Sequence, residues 1–181
     1  MPPPLKSEDK RSRKDLELFV LALISRGIVT TYDLKMSAAI SPGASVPVLS
    51  RLESSGLIKK GREGARNRQE YQITGKGTHL LQESWSGIFQ GLPEGDMEVV
   101  LRIACIALIM GEPKRSVAGY LARAARVRKE AERAAENAAS IPGSAIEAFP
   151  WMRNIALLYR RRNEAVILRQ LASKLRRTKI K

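Results

Sequence analysis

Five cations crowd two glycines between residues 59 and 68. Lys59, Lys60, Arg62, Arg66 and Arg68 surround Gly61 and Gly64 in the order KKGREGARNR. Cations on a glycine-bearing tip suit contact with phosphates or with a minor groove. Glu63 within the run is what a merely solvated loop would carry. A second stretch, Ser41-Pro42-Gly43, has the chemistry of a helix start that leaves backbone N–H groups open to a phosphate. Gly43 permits close approach of a nucleic-acid backbone. Behind it the outward candidates are Ala44, Ser45, Val46, Pro47, Ser50 and Arg51. Ser45 and Ser50 offer hydroxyls to a base or phosphate, Val46 a contact for a thymine methyl, and Arg51 a donor for a phosphate or a guanine edge. Thr31 and Tyr32, further upstream, complete the DNA-facing set.

Catalytic chemistry has no comparable signature. There is no Walker-type loop, no GxSxG and no HExxH. The sole histidine, His79, has no Cys or His near it, so no metal site or other cofactor is expected. Cys105 lies inside the apolar run VVLRIACIALIM and reads as packing, and a single cysteine cannot form an internal disulfide. The expectation is that the chain is not an enzyme.

These groups need elements to place them. Leu16, Phe19, Val20, Leu23 and Ile24 repeat at helical spacing, predicting a helix from near Asp15 that stops at Gly27. Thr30 or Thr31 caps a second helix, with Asp33 in its first turn. Ser41 caps a third, with Pro42 at its first position and Gly56 at its end. Pro47 falls close behind, so a bent or late-starting helix is expected there. Val48, Leu49 and Leu52 form its inward face. Residues 57–60 and Glu70-Tyr71-Gln72-Ile73 are short and β-capable, and the glycine-bearing loop joins them as a hairpin. Thr74 caps a helix bearing Leu80, Leu81, Trp85 and Ile88. Residues 14–90 therefore read helix, helix, helix, strand, loop, strand, helix, the order of a winged helix-turn-helix.

After Gly91-Leu92-Pro93-Glu94-Gly95 the remaining chain reads as all helix. Met97 to Met110 is apolar nearly all round and should be buried. Residues 114–139 form an Ala-rich helix, SIPGS at 140–144 a turn, and the last helix runs from about Trp151 to Arg177. The expected divisions are a flexible tail at 1–13, a winged helix-turn-helix at 14–91 and a helical dimerisation domain at 92–181. Leu121, Ala124, Ile155, Leu158, Leu168 and Leu175 mark the expected dimer seam. The fold class is mainly α, with a two-stranded β wing.

Composition supports a polyanionic partner. The 181 residues include 32 Lys and Arg against 18 Asp and Glu, a net charge of +14. Such a surplus favours nucleic acid first and an anionic membrane second. It is unevenly shared: residues 1–90 hold 14 basic and 9 acidic residues, whereas residues 91–181 hold 18 and 9. Much of the second half's charge sits in Arg160-Arg161-Arg162 and near the end of the chain. A solvated helix face is the simpler account of that run; DNA contact is the other. No apolar stretch reaches the roughly 20 residues of a membrane span, and the first residues lack a signal-peptide core. A cytoplasmic, nucleoid-associated protein with no membrane contact is expected.

The N-terminal pattern resembles the PadR-type winged-helix transcriptional regulators. The matching residues are Tyr32-Asp33-Leu34, Ser41, Gly43, Pro47, Leu49, Arg51-Leu52-Glu53, Gly56-Leu57-Ile58 and Tyr71-Gln72-Ile73-Thr74 with Gly77. The likeness covers about residues 16–80, and MarR-like winged helices share parts of it. Two departures stand out. Thr31 replaces the family's glycine, and Ala44-Ser45-Val46 replaces Thr-Leu-Tyr. The family's tyrosine at the Val46 position faces DNA, while its leucine at the Ser45 position packs inward. The resemblance thus implies an inward Ser45 and a displaced or weaker third helix. It further implies a sequence-specific regulator of double-stranded DNA, most simply a repressor, dimeric through its C-terminal helices. Members often respond to small aromatic or drug-like molecules, and the likeness alone suggests such an effector. The other readings are a low-specificity DNA-coating protein, favoured by the charge, and a winged-helix protein–protein adaptor.

Overall fold

The computed structural model describes residues 7–64, 68–93, 95–138 and 145–178. Its fold is mainly helical: a helix-turn-helix with a two-stranded wing, followed by further helices. The chain forms two compact units. One comprises the residues through Gly91 together with Leu101–Glu112; the other comprises Leu92–Val100 and the chain from Pro113 onward. The chain leaves the first unit at 91/92, returns to it at 100/101 and leaves again at 112/113. The reason is apolar: Ile106 joins the core of the first unit, with Cys105, Ile109 and Met110 packed against it.

In the first unit, α1 spans Ser7–Ser25. It begins well before Asp15, so residues 7–13 of the expected tail are helical. SEDKRSRK consists mostly of good helix formers. The following α2, Thr31–Ala38, is capped by Thr30. Thr30 Oγ1 accepts from the Asp33 N–H at 3.1 Å and the Thr30 N–H donates to the Asp33 carboxylate at 3.1 Å, a reciprocal capping box. The helix closes on Ala39 with φ 53°, a left-handed turn made here without glycine.

Helix α3 spans Pro42–Ser54 and includes Pro47. It is continuous, so the expected late start does not occur. Pro47 lacks the N–H that would reach the Gly43 carbonyl, and Gly43 is exposed, which leaves that oxygen accessible to water. The helix ends at Ser55, and Gly56 takes φ 69° just past the cap.

Strand β1 (Ile58–Gly64) pairs antiparallel with β2 (Arg68–Ile73), from Ile58 opposite Ile73 to Gly64 opposite Arg68, with an irregularity between Lys60 and Glu63. The wing is tied down on two sides. The Tyr71 N–H donates to the Val29 carbonyl at 2.9 Å, linking β2 to the α1–α2 turn. Thr74 caps α4 (Gly75–Gln90), and its hydroxyl also donates to the Gly56 carbonyl at 2.8 Å. Gly77 sits so close to the chain just before β1 that a Cβ would lie 2.1 Å from the Leu57 carbonyl oxygen. Val20, Leu21, Leu34, Val48, Leu49, Leu52, Ile58 and Leu81 form the buried core under this frame.

Helix α5, Met97–Ile109, starts in the second unit, where the Asp96 carboxylate accepts from the Val99 N–H at 2.9 Å. That unit is otherwise a hairpin of α6 (Lys114–Ala138) and α7 (Ala145–Arg177). The two are antiparallel, since Arg128 pairs with Glu164 and Glu132 with Arg162. α7 starts earlier than Trp151 and includes Pro150, which lacks the N–H that would reach the Ile146 carbonyl. The expected turn at 140–144 lies outside the described residues.

Candidate nucleic-acid interface

The helix-turn-helix sets one stripe of α3 facing outward. Gly43, Val46, Pro47, Ser50 and Arg51 are all exposed and recur at intervals of three and four residues, the spacing of one helical face. Val46 is 54% exposed, a large apolar side chain held in water at the centre of the stripe. Val48, Leu49 and Leu52 on the opposite face fix its orientation by burial.

Ser45 is not outward. It is fully buried, and its hydroxyl reaches back toward the Pro42 carbonyl at 3.4 Å. Position 45 lies one residue before the exposed pair 46 and 47, which turns it about 100° into the core. Its hydroxyl is therefore removed from the DNA-facing set. Ala44 is half-buried and packs against the same core. Ser41 is exposed, and its side chain accepts from the Ala44 N–H at 3.3 Å, so it caps the helix that starts the stripe.

The cations are less free than their sequence suggests. Arg51 Nε donates to Glu17 Oε1 on α1 at 2.6 Å. Lys60 Nζ lies 3.1 Å from the Glu53 carboxylate. Arg62 and Lys59 are exposed, and Arg66 lies outside the described residues. Arg68 is stacked: its guanidinium carbon sits 3.9 Å from the ring centroid of Tyr32 on α2. A cation over an aromatic face is held by the ring quadrupole. The guanidinium keeps its in-plane N–H donors at its edge, the geometry that matches a phosphate. Tyr32 is 47% exposed, so this pair lies at the surface. Thr31 begins α2 and is half-buried.

Glu17 and Glu53 are partners of these cations that their sequence positions do not announce. Glu53 belongs to a recognised motif, yet its partner across the turn is not apparent from spacing. Glu17 stands 34 residues from Arg51, and only the packing of α1 on α3 joins them.

In the second unit Leu121, Ala124, Leu158 and Leu168 are buried within the single chain, and Ile155 and Leu175 are half-buried. This seam joins α6 to α7. The exposed apolar side chains of α7 are others: Phe149, Met152, Leu157, Tyr159, Val166 and Ile167.

Burial pushes the Cys105 thiol up, away from the reactive thiolate. Among the described residues no group of three or more His, Cys, Asp or Glu could hold a metal ion, and no helix is long and apolar enough to cross a membrane.

No family model matches the chain, and no curated protein matches it. Among solved structures it is similar to the crystal structure of Bacillus subtilis PadR in complex with operator DNA, at 19% identity and a TM-score of 0.35, over 88% of this chain and 98% of that one.

Proposed function

We propose that the chain is a sequence-specific regulator of transcription that binds double-stranded DNA and represses by occupying its site. The observation that carries this reading is the exposed α3 stripe of Gly43, Val46, Pro47 and Ser50, present in the same unit as a basic wing. A helix with small, uncharged side chains outward can approach a major-groove floor closely. The wing supplies phosphate contacts through Lys60, Arg62 and the stacked Arg68. Two such modules in a dimer would read half-sites about one helical turn apart. The residues expected to form the dimer seam are used inside the hairpin, so a dimer must be built from other surfaces. Release of DNA by a small-molecule effector rests on the family resemblance alone.

The test is electrophoretic mobility of duplex DNA with Val46→Asp. A carboxylate there faces base edges and phosphates, and affinity should fall roughly tenfold or more. Unchanged affinity would remove α3 from the interface.

One observation favours a low-specificity variant of the same reading. Arg51, the charged member of the stripe, is already held by Glu17. The α3 face then offers shape and apolar contact more than hydrogen-bonded base readout.

A further inference from the structure

The helical half of the chain carries more net positive charge than the half with the wing, and α7 carries most of it. Between Arg153 and Arg177 lie seven arginines and one lysine, all exposed, against a single carboxylate, Glu164. Glu164 is nearly buried and already bonded by Arg128 at 2.8 Å and Arg160 at 2.9 Å. Arg162 meets Glu132 of α6 at 3.5 Å. Favourable placement against the helix dipole accounts for Lys174, Arg176 and Arg177 only. It does not account for Arg153, Arg161 or Arg169.

The cations are ordered. Arg153, Arg160 and Lys174 fall on one seven-residue repeat, and Arg162, Arg169 and Arg176 on another. Seven residues are nearly two turns, so each set forms a row along the helix. The two rows lie on opposite flanks of α7. One side between them is the seam of Leu158, Ala165, Leu168 and Ala172, buried against α6. The other is an outer stripe without acidic residues, including Met152, Tyr159, Asn163, Val166 and Gln170. Two rows of long cations on either side of a helix about 10 Å across match the two phosphate backbones that border a major groove about 12 Å wide.

We propose that the outer face of α7 is a second nucleic-acid surface, which takes duplex DNA with one row of cations on each strand's phosphates. The prevalence of arginine suits paired N–H donation to phosphodiester oxygens. A second copy of α7 fits this face less well, because like-charged rows would meet. An anionic membrane also fits less well. Interfacial helices separate an apolar face from a polar one, whereas this stripe is broken by Asn163 and Gln170. The surface is independent of the α3 reading.

The test uses the full chain with Arg153→Gln, Arg169→Gln, Lys174→Gln and Arg176→Gln combined, binding random-sequence duplex over a range of salt. The slope of log affinity against log salt should become shallower by about 0.9 for every phosphate that the variant no longer neutralises. A companion with lysine at the three arginine positions and Lys174 intact should keep the parent slope. The companion separates charge from helix damage. Val46→Asp should leave this slope difference in place, which distinguishes failure of the α3 reading from failure of this one. The proposal is overturned if the glutamine variant keeps the parent slope. It is also overturned if the change appears only in binding to phosphatidylserine vesicles, or only in the molecular mass in solution.

Discussion

At the scale of single residues, the interface is defined by which cations are engaged and by what. Arg51 and Glu17 form a pair 2.6 Å apart on the α3 face, with side chains partly open to solvent. A phosphate that recruits Arg51 has to displace that carboxylate. Glu17→Gln should therefore strengthen binding to random duplex several-fold, and its salt slope should steepen by about 0.9 if Arg51 then meets a phosphate. Fluorescence anisotropy across a salt series measures both quantities; no change in either would show that Arg51 stays away from DNA. The Tyr32–Arg68 stack makes a different claim. Tyr32→Phe keeps the ring and should bind as the parent does, while Tyr32→Leu removes the platform. In a double-mutant cycle with Arg68→Ala, Tyr32→Leu should show coupling of about 0.5–1 kcal/mol in DNA affinity. Additive effects would mean that the stack does not position the wing arginine.

Elements are where the sequence is most legible. Apolar repeats place α3 and α4 because each has one buried stripe whose period survives in the order of residues, while α1 is marked by a continuous apolar run that is buried all round from Leu18 to Ile24. Caps at Thr30, Ser41 and Thr74 are legible because a side-chain acceptor three residues before an N–H is a local relation. What is not legible is what depends on distant partners. Ser45 reads as outward from its polarity and as inward from the family likeness, and packing against the core buries it. The hairpin seam between α6 and α7 reads as a dimer surface, because an apolar stripe does not say whether its cover comes from the same chain. Residues 101–112 read as part of the second domain, and their side chains complete the first unit's core instead. The contact of α4 with Leu57 makes a prediction at this scale. Gly77→Ala should lower stability by roughly 3 kcal/mol through overpacking against the Leu57 carbonyl. Gly75→Ala, at the start of the same helix and with nothing within 4 Å of its Cβ, should be neutral or stabilising by up to about 1 kcal/mol. Thermal unfolding compares the two; equal effects would mean that the close approach at Gly77 relaxes freely.

For the whole molecule, the proposed reading rests on charge and on the α3 stripe together. A surplus of fourteen positive charges guarantees attraction to polyanions but carries no sequence information. On the proposed reading, specificity comes from the α3 stripe, which presents a thymine-compatible Val46 and a hydroxyl at Ser50, with Arg51 held by Glu17. Selection of random duplex DNA on the purified full chain, followed by titration of the winners against random duplex at fixed salt, tests this most directly. The expected result is a two-fold symmetric motif bound more than about a thousandfold tighter than random duplex. Retention of DNA with no motif and a steep salt dependence would contradict it.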